Sequence, residues 1–232
     1  ARVLSLPVMP AIYGEVRQDL RRHLPEGARL LDVGGRRSWY TSGIEAMVTI
    51  SDLPREAAIQ YDLDLGMSNE VKAKTLSRRS NIVRVVLDDM AATELPDHSF
   101  DAIVSVEVIE HVDDDQQFVQ NLARVVVPGG PVILTTPNGD GCPEPQGDHR
   151  RHYRLADLDA LLRSAFDRVE VRHSVAVTPA RGIGLASLDP RRPVQLTKTM
   201  AANIRNRRES GRPEMVTQAR SAHLVAVAFT KA

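Results

Sequence analysis

Cysteine is almost absent from this sequence, since Cys142 is the only one among 232 residues. A single cysteine excludes a disulfide within the chain, which fits a reducing compartment, and we therefore expect a cytoplasmic protein. The sequence also lacks a recognisable signal peptide and any apolar run long enough to span a bilayer. We expect no membrane partner.

The sequence also lacks an excess of charge of either sign. Lys and Arg together number 30, as do Asp and Glu, and the isoelectric point is about 7.3. No long-range field favours nucleic acid or an acidic membrane surface, so neither is an expected partner. The hydrophobic share of 42% and the charged share of 26% are those of an ordinary globular domain.

Short apolar runs alternate with helical patterns along the chain, which predicts βαβ units and a mostly parallel sheet. We expect one α/β domain over residues 1–232, with an N-terminal helical cap at 1–27. Helices are predicted at 11–24 and 157–166. The predicted strands cover residues 29–33, 46–51, 81–87, 100–106, 131–136, 168–173 and 222–230.

Two segments interrupt this alternation. Residues 62–80 are polar and predict an added helix or loop. Residues 174–220 form an insertion that holds nine basic residues against three acids. One interpretation of this insertion is a solvated loop with a helix near 194–208, and the other is a lid or a homodimer arm over an acceptor site.

Acidic residues stand at three successive strand ends, where open α/β sheets bind their ligands. The first strand runs into Asp32 and the turn Gly34-Gly35, and glycine lets a backbone approach a ligand closely. Asp52, followed by Leu53, ends the second strand and can accept hydrogen bonds from ribose hydroxyls. Asp89 and Met90 follow the third, where they can hold an adenine ring.

With these residues the sequence resembles class I methyltransferases that use S-adenosylmethionine, over nearly the whole chain. The resemblance implies a Rossmann-like seven-stranded sheet with helices on both faces and its last strand antiparallel. It also implies that Asp32, Gly34 and Gly35 lie near the methionine part of the cofactor. Arg36 and Ser38 depart from the family, which usually has glycine there. The matching segments are LLDVGG at 30–35, LPDHSFD at 95–101, EVIEHV at 107–112, RVVVPGG at 124–130 and TPN at 136–138.

A carboxylate and imidazole run follows the fourth strand. Glu107, Glu110 and His111 would share one face if this segment opened a helix, and such groups can bind a divalent cation. Glu107 is also a candidate contact of the cofactor. A further ligand could come from His149 or His152 beyond the fifth strand.

This run is similar to ubiquinone-synthesis O-methyltransferases and to small-RNA 2′-O-methyltransferases, and some bacterial sugar methyltransferases look alike. The second resemblance implies that Mg²⁺ or Mn²⁺ is bound by Glu107, Glu110, His111 and His149. A metal so held can chelate neighbouring hydroxyls and acidify one of them. We therefore expect O-methylation of a small sugar or another vicinal diol.

Three alternatives stay open. His111, His149 or His152 could act as a general base without a metal. The acceptor could be the 3′-terminal ribose of an RNA, which would need a basic groove. The chain could also be a non-catalytic subunit that binds the cofactor. We expect His23, His98 and His223, at element edges, to be incidental.

Overall fold

The computed structural model describes residues 8–54, 66–77, 79–145, 147–184 and 191–231. In these ranges short 3₁₀ turns follow strands β1, β3 and β4. The strands are β1 (Ala28–Val33), β2 (Ala46–Asp52), β3 (Ile82–Leu87), β4 (Ala102–Val106), β5 (Pro131–Pro137), β6 (Arg168–Ala176) and β7 (Ser221–Phe229). The helices are α1 (Ala11–His23), α2 (Asn69–Leu76), α3 (Asp115–Val125), α4 (Leu155–Arg163), α5 (Pro179–Gly184) and α6 (Pro193–Ser210).

The seven strands form one sheet in the order β3-β2-β1-β4-β5-β7-β6. The pairs among β1 to β5 are parallel, whereas β7 runs antiparallel to both β5 and β6. This confirms the predicted seven-stranded, mostly parallel sheet with an antiparallel last strand. Strand order reverses between β1 and β4, so the carboxyl ends of these two strands flank the crevice where such sheets bind ligands.

Hydrophobic layers cover both faces of the sheet. Phe118 and Leu122 of α3 and Leu158 of α4 are buried on one face. Val16 and Leu20 of α1 are buried on the other. In each helix these positions are three or four residues apart, which gives one apolar stripe facing the sheet.

The segment after β4 differs from its prediction. Residues 109–111 form a single 3₁₀ turn rather than the start of an α-helix. Glu107 has a left-handed backbone with φ of 55°, so no right-handed helix begins at this residue. The side chains of Glu107, Glu110 and His111 therefore do not share one helical face.

The two interrupting segments contain the predicted helices. Within 62–80 the structure has α2, while residues 62–65 and 78 of that prediction lie outside the described residues. The helix predicted near 194–208 is α6, whose side chains Thr199, Ala202 and Asn203 are buried. Residues 185–190 of the insertion, and 1–7 of the predicted N-terminal cap, are also outside the described part.

The insertion is attached to the first helix. Asn203 of α6 donates a hydrogen bond to the carbonyl of Val8 over 2.7 Å. The guanidinium of Arg207 lies so close to Gly14 of α1 that a Cβ there would be 2.2 Å from its Nη1 atom. α6 is therefore packed on the domain rather than extended into solvent.

Across the ranges given above, the helices are too short or too polar to cross a membrane.

Candidate active site

A cavity of about 410 Å³ lies beyond the carboxyl ends of β1, β2, β3 and β4. Its size is within the range of small-molecule and cofactor sites, about 300–1,000 Å³. The crevice at the strand-order reversal is therefore open to a ligand. The lining residues include Val33, Gly34, Arg36, Asp52, Leu53, Asp88, Asp89, Met90, Glu107, Val108, His111, Phe118, Asp148 and Arg150.

The turn after β1 requires both of its glycines. Gly34 has φ of 70°, and a Cβ on it would lie 2.6 Å from a methyl carbon of Val108 across the cavity floor. A Cβ on Gly35 would lie 2.3 Å from Cγ of Asp32. Of the two, Gly34 lines the cavity, and Gly35 closes over the carboxylate beneath it.

Asp32 lies under the turn, with none of its surface exposed. Tyr40 donates a hydrogen bond to Oδ1 over 2.6 Å, and Oδ2 has no hydrogen-bond partner in the part of the chain described. Burial raises the pKa of Asp32 to about 6, although hydrogen bonds from Ser38 and Tyr40 oppose that rise. Its predicted contact with the methionine part of a cofactor stays a prediction.

Asp52 lies at the cavity rim, where β2 ends. Its Oδ1 accepts a hydrogen bond from the backbone N–H of Leu53 over 2.9 Å. Its Oδ2 lies 3.8 Å from Nε of Arg36, a residue of the turn after β1. The departure at Arg36 therefore places a cation beside the acid predicted to hold a ribose.

Asp88, Asp89 and Met90 follow β3 and differ in how far their side chains are buried. Asp89 is exposed and caps the 3₁₀ turn at 90–92, accepting from the N–H of Ala91 over 2.9 Å. Met90 is 3% exposed, and its carbonyl accepts from Asn121 of α3 over 2.8 Å. Asp88 also lines the cavity, and burial raises its pKa. Asp89 and Met90 therefore both line the cavity, and their predicted contact with an adenine ring stays a prediction.

Glu107 lies between two strands rather than beside Glu110. Thr135 of β5 donates to Oε1 over 2.8 Å, and Nδ1 of the buried His223 lies 3.0 Å from Oε2. Burial would raise the pKa of Glu107, but His223, Thr135 and Arg181 outweigh it, and the net shift is downward. Glu107 is thus held as a carboxylate on the side facing β7.

The side chain of Glu110 is fully buried, on the face of β5 opposite to the one that Glu107 contacts. Thr136 donates to Oε2 over 3.2 Å, while Oε1 has no hydrogen-bond partner in the described ranges. Burial, and then repulsion by Glu107, raises the pKa of Glu110 well above its usual value. An unpaired carboxylate oxygen is costly here and would be stabilised by a cation.

A chain of hydrogen bonds joins the histidines. Nδ1 of His152 lies 2.6 Å from the carbonyl of Cys142, so His152 donates there and its Nε2 accepts. His149 then donates from Nδ1 to that Nε2 over 2.8 Å. This leaves Nε2 of His149 as the nitrogen that can bind a proton or a metal. Burial, followed by the charges of His111 and His152, lowers the pKa of His149.

The ring of His111 is oriented by a neighbouring acid. Its Nδ1 lies 3.2 Å from a carboxylate oxygen of Asp148. Its ring is 4.7 Å from that of His149, at 88°. The structure brings Glu110, His111 and His149 together, with one possible ligand atom of each within 4.8 Å of the others.

The predicted metal set therefore needs a correction. Glu107 contacts Thr135 and His223 and is not part of the group formed by Glu110, His111 and His149. His152 contacts His149 through one nitrogen and a backbone carbonyl through the other. Both of its ring nitrogens therefore have partners in this arrangement, and its predicted role as a general base stays a prediction.

Sequence reasoning missed two residues, His223 and Arg181. Nε2 of His223 lies 3.3 Å from Nη2 of Arg181, so the imidazole connects Glu107 to a guanidinium of the insertion. His223, expected to be incidental, is thus in contact with two charged side chains, one of which lines the larger cavity. The available signal was a histidine inside the apolar run of β7, where a buried polar group needs partners.

Comparison with known proteins gives the same fold and domain. Residues 31–134 match the family model of a methyltransferase domain. The chain is 39% identical over 108 residues to a probable S-adenosylmethionine-dependent methyltransferase of Mycolicibacterium smegmatis, covering 44% of this chain and 40% of that protein. It is 30% identical over 136 residues to a mitochondrial ubiquinone biosynthesis O-methyltransferase of Dictyostelium discoideum, covering 55% and 41%. The chain thus matches less than half the length of these relatives.

Solved structures show the same architecture. Phosphoethanolamine N-methyltransferase 2 of Haemonchus contortus, in complex with S-adenosyl-L-methionine, superposes with a TM-score of 0.59 at 16% identity. The match covers 94% of this chain and 53% of that one. A possible histamine N-methyltransferase of Thermotoga maritima gives 0.59 at 17% identity, covering 94% and 89%. The class I methyltransferase fold expected from the sequence is confirmed.

Proposed function

We propose that this chain, which carries a methyltransferase domain at residues 31–134, is an S-adenosylmethionine-dependent O-methyltransferase assisted by a divalent metal. Its acceptor is a small sugar or another metabolite with neighbouring hydroxyls. The observation that carries the proposal is the cluster of Glu110, His111 and His149, which adjoins the cavity through His111.

The donor occupies the cavity of about 410 Å³. Asp52 accepts hydrogen bonds from the ribose, while Met90 packs on the adenine and Asp89 accepts from its amino group. The bare backbone of Gly34 leaves room for the methionine part. A domain match and relatives named as S-adenosylmethionine-dependent and O-methyltransferases support this assignment.

The three clustered residues fit a hard or borderline divalent cation. Glu110 supplies an unpaired, buried oxygen, and the two histidines supply Nε2 atoms whose tautomers are set by Asp148 and His152. The carboxylate suits Mg²⁺ or Mn²⁺, whereas the two imidazoles suit Mn²⁺ better than Mg²⁺ and are also common ligands of Zn²⁺ and Fe²⁺. When bound, the metal would lower the pKa of an acceptor hydroxyl.

The transfer is a single displacement. S-adenosylmethionine would supply its methyl group, and the bond from the acceptor oxygen to the methyl carbon would form as the carbon–sulfur bond breaks. Because Nε2 of His149 is a metal ligand in this proposal, the hydroxyl proton would leave for solvent. Phe118 and Val108, which line the cavity, keep water from the reacting atoms.

Titration calorimetry with S-adenosylhomocysteine tests the donor half of the proposal. We expect binding by the wild type and at least tenfold weaker binding by Asp52→Ala, which loses the ribose contacts. Absence of binding by the wild type would refute the assignment.

A second titration, with Mn²⁺, tests the metal half. His149→Ala and Glu110→Gln should each lower the affinity at least tenfold. His23→Ala is the control, because His23 lies at the other end of the sheet against Phe229. Methyl transfer to a panel of diols should be lost with chelator and restored by Mn²⁺ or Mg²⁺. Full activity in excess chelator would exclude metal assistance.

A further inference from the structure

A second, smaller cavity lies on the other side of β5. Its volume is about 240 Å³, and it adjoins the cofactor cavity at Glu107, which lines both. The start of α1, the end of β6 and the helices of the insertion form its walls. The lining residues are Pro10, Ala11, Ile12, Tyr13, Glu107, Val175, Arg181, Asn203, Asn206 and His223.

Arg181 is the one arginine in this lining, which contains no lysine. Its Nε is buried without a hydrogen-bond partner in the described part of the chain, and burial lowers the pKa of Arg181. The imidazole of His223 contacts both Arg181 and Glu107, and the charge of Glu107 partly offsets the effect of burial on Arg181. A half-buried cation whose Nε–H is shielded and unused favours an anion, since a charge-assisted hydrogen bond would offset the lost hydration of that group.

The lining of this cavity also contains amide N–H donors and residues with a strained backbone. The side-chain oxygen of Asn206 accepts from Thr178 over 2.8 Å, which leaves the amide N–H groups as donors. Two of the three non-glycine residues with positive φ in the described ranges line this cavity, Glu107 at 55° and Val175 at 60°. For a β-branched residue such a backbone is a marked outlier, and strain of this kind concentrates at ligand sites.

We propose that this cavity receives a carboxylate group of the acceptor, bound by Arg181 and Asn206, and that the substrate is therefore a small hydroxylated carboxylic acid. The inference rests on the proposed function and narrows its acceptor class.

The two ends of the cavity suit such a molecule. Glu107 accepts a hydrogen bond from a hydroxyl near the cofactor cavity. The imidazole of His223 separates this carboxylate from Arg181, so an anion at the far end is not placed against Glu107. The volume is below that of common drug-sized sites, which restricts the group it receives to a few heavy atoms.

Calorimetry with matched pairs of compounds tests the inference in the presence of S-adenosylhomocysteine and Mg²⁺. The pairs are glucuronate and glucose, glycerate and glycerol, and 3,4-dihydroxybenzoate and 3,4-dihydroxybenzyl alcohol. Each pair keeps the vicinal hydroxyls and differs in the carboxylate. For at least one pair we expect the wild type to bind the acid at least tenfold more tightly than the neutral partner.

Arg181→Met should abolish this preference, and Arg181→Lys should keep part of it, while both bind S-adenosylhomocysteine within about twofold of the wild type. Arg208→Met, which removes an exposed arginine of α6, should keep the full preference. A wild type that prefers the acid in none of the pairs, or an Arg181→Met variant that keeps the preference, would overturn the inference. Failure of the wild type to bind S-adenosylhomocysteine would instead refute the proposed function.

Discussion

Gly34 and Gly27 form a natural comparison, because both have left-handed backbones, with φ of 70° and 72°. A Cβ on Gly27 meets nothing within 4 Å, whereas one on Gly34 would collide with Val108 at 2.6 Å. Gly27→Ala should therefore cost about 1–2 kcal/mol of unfolding free energy from backbone strain alone. Gly34→Ala should cost about 1–3 kcal/mol more, since the cavity floor must also move.

Denaturant unfolding of the two variants measures that difference, and S-adenosylhomocysteine titration supplies the functional readout. Only Gly34→Ala should weaken cofactor binding. Equal unfolding free energies for the two variants would show that contact with Val108 is not what requires glycine at position 34.

Asp32 gives a prediction about pH. Its pKa is raised from 3.8 to about 6 in the folded protein. Below the unfolded pKa the group is protonated in both states and costs nothing. As pH rises towards and past the folded pKa, the unfolded state ionises more readily and the fold loses stability. A shift of about two units corresponds to about 3 kcal/mol.

Replacing this acid by its amide removes the titration but keeps an oxygen that can accept from Tyr40. Relative to the wild type, Asp32→Asn should gain about 2–3 kcal/mol of unfolding free energy between about pH 4 and pH 8. Urea unfolding at several pH values measures the difference between the two proteins, in which the other titrating groups cancel. A difference that does not vary with pH would mean that Asp32 has an ordinary pKa.

At the scale of elements, the sequence predicted the sheet well and the loop after β4 poorly. Buried parallel strands are short, continuous apolar runs, so their positions can be read from the pattern alone. The predicted bounds of the fifth strand, 131–136, differ from β5 by one residue. The conformation of Glu107 has no such signal, because its left-handed backbone depends on contacts with Thr135 and His223 from strands distant in sequence.

That loop places two acids on opposite sides of one strand. Thr135 and Thr136 are adjacent in β5, so their side chains point to opposite faces of the sheet. Thr135 donates to Glu107 and Thr136 donates to Glu110. Each carboxylate is therefore oriented by its own hydroxyl, and the two sides can be tested separately.

Thr136→Val removes the hydroxyl at Glu110 with little change of shape. It should weaken Mn²⁺ binding about tenfold or more, because ligand-orienting hydrogen bonds contribute that much in metal sites. Thr135→Val is the matched control and should leave the Mn²⁺ affinity within about twofold. Calorimetry on both variants measures the effect. An equal loss in both would mean that Glu107 and Glu110 act on the metal together.

At the scale of the molecule, the distribution of basic residues favours the proposed small acceptor over the 3′ end of an RNA. The insertion holds nine basic residues between 181 and 220, but not all of them face solvent. Arg181 lines the small cavity and Arg207 packs on Gly14, while the exposed Arg205 pairs with Glu209 over 2.9 Å. Arg181 and Arg207, two of the nine basic residues of the insertion, thus make contacts within the fold.

RNA binding without a strong basic groove should be weak and highly sensitive to salt, because affinity for phosphates comes from released counterions. We therefore expect no gel shift of a 20-nucleotide RNA at about 150 mM salt with protein up to about 10 µM, a concentration within the range of non-specific dissociation constants. Any gel shift seen at about 50 mM salt should disappear at about 150 mM salt. A complex that persists at about 150 mM, and that needs the terminal ribose hydroxyls, would favour the RNA acceptor over the small hydroxylated acid. In that case Arg205 and Arg208, the exposed arginines of α6, would be the residues to replace rather than Arg181.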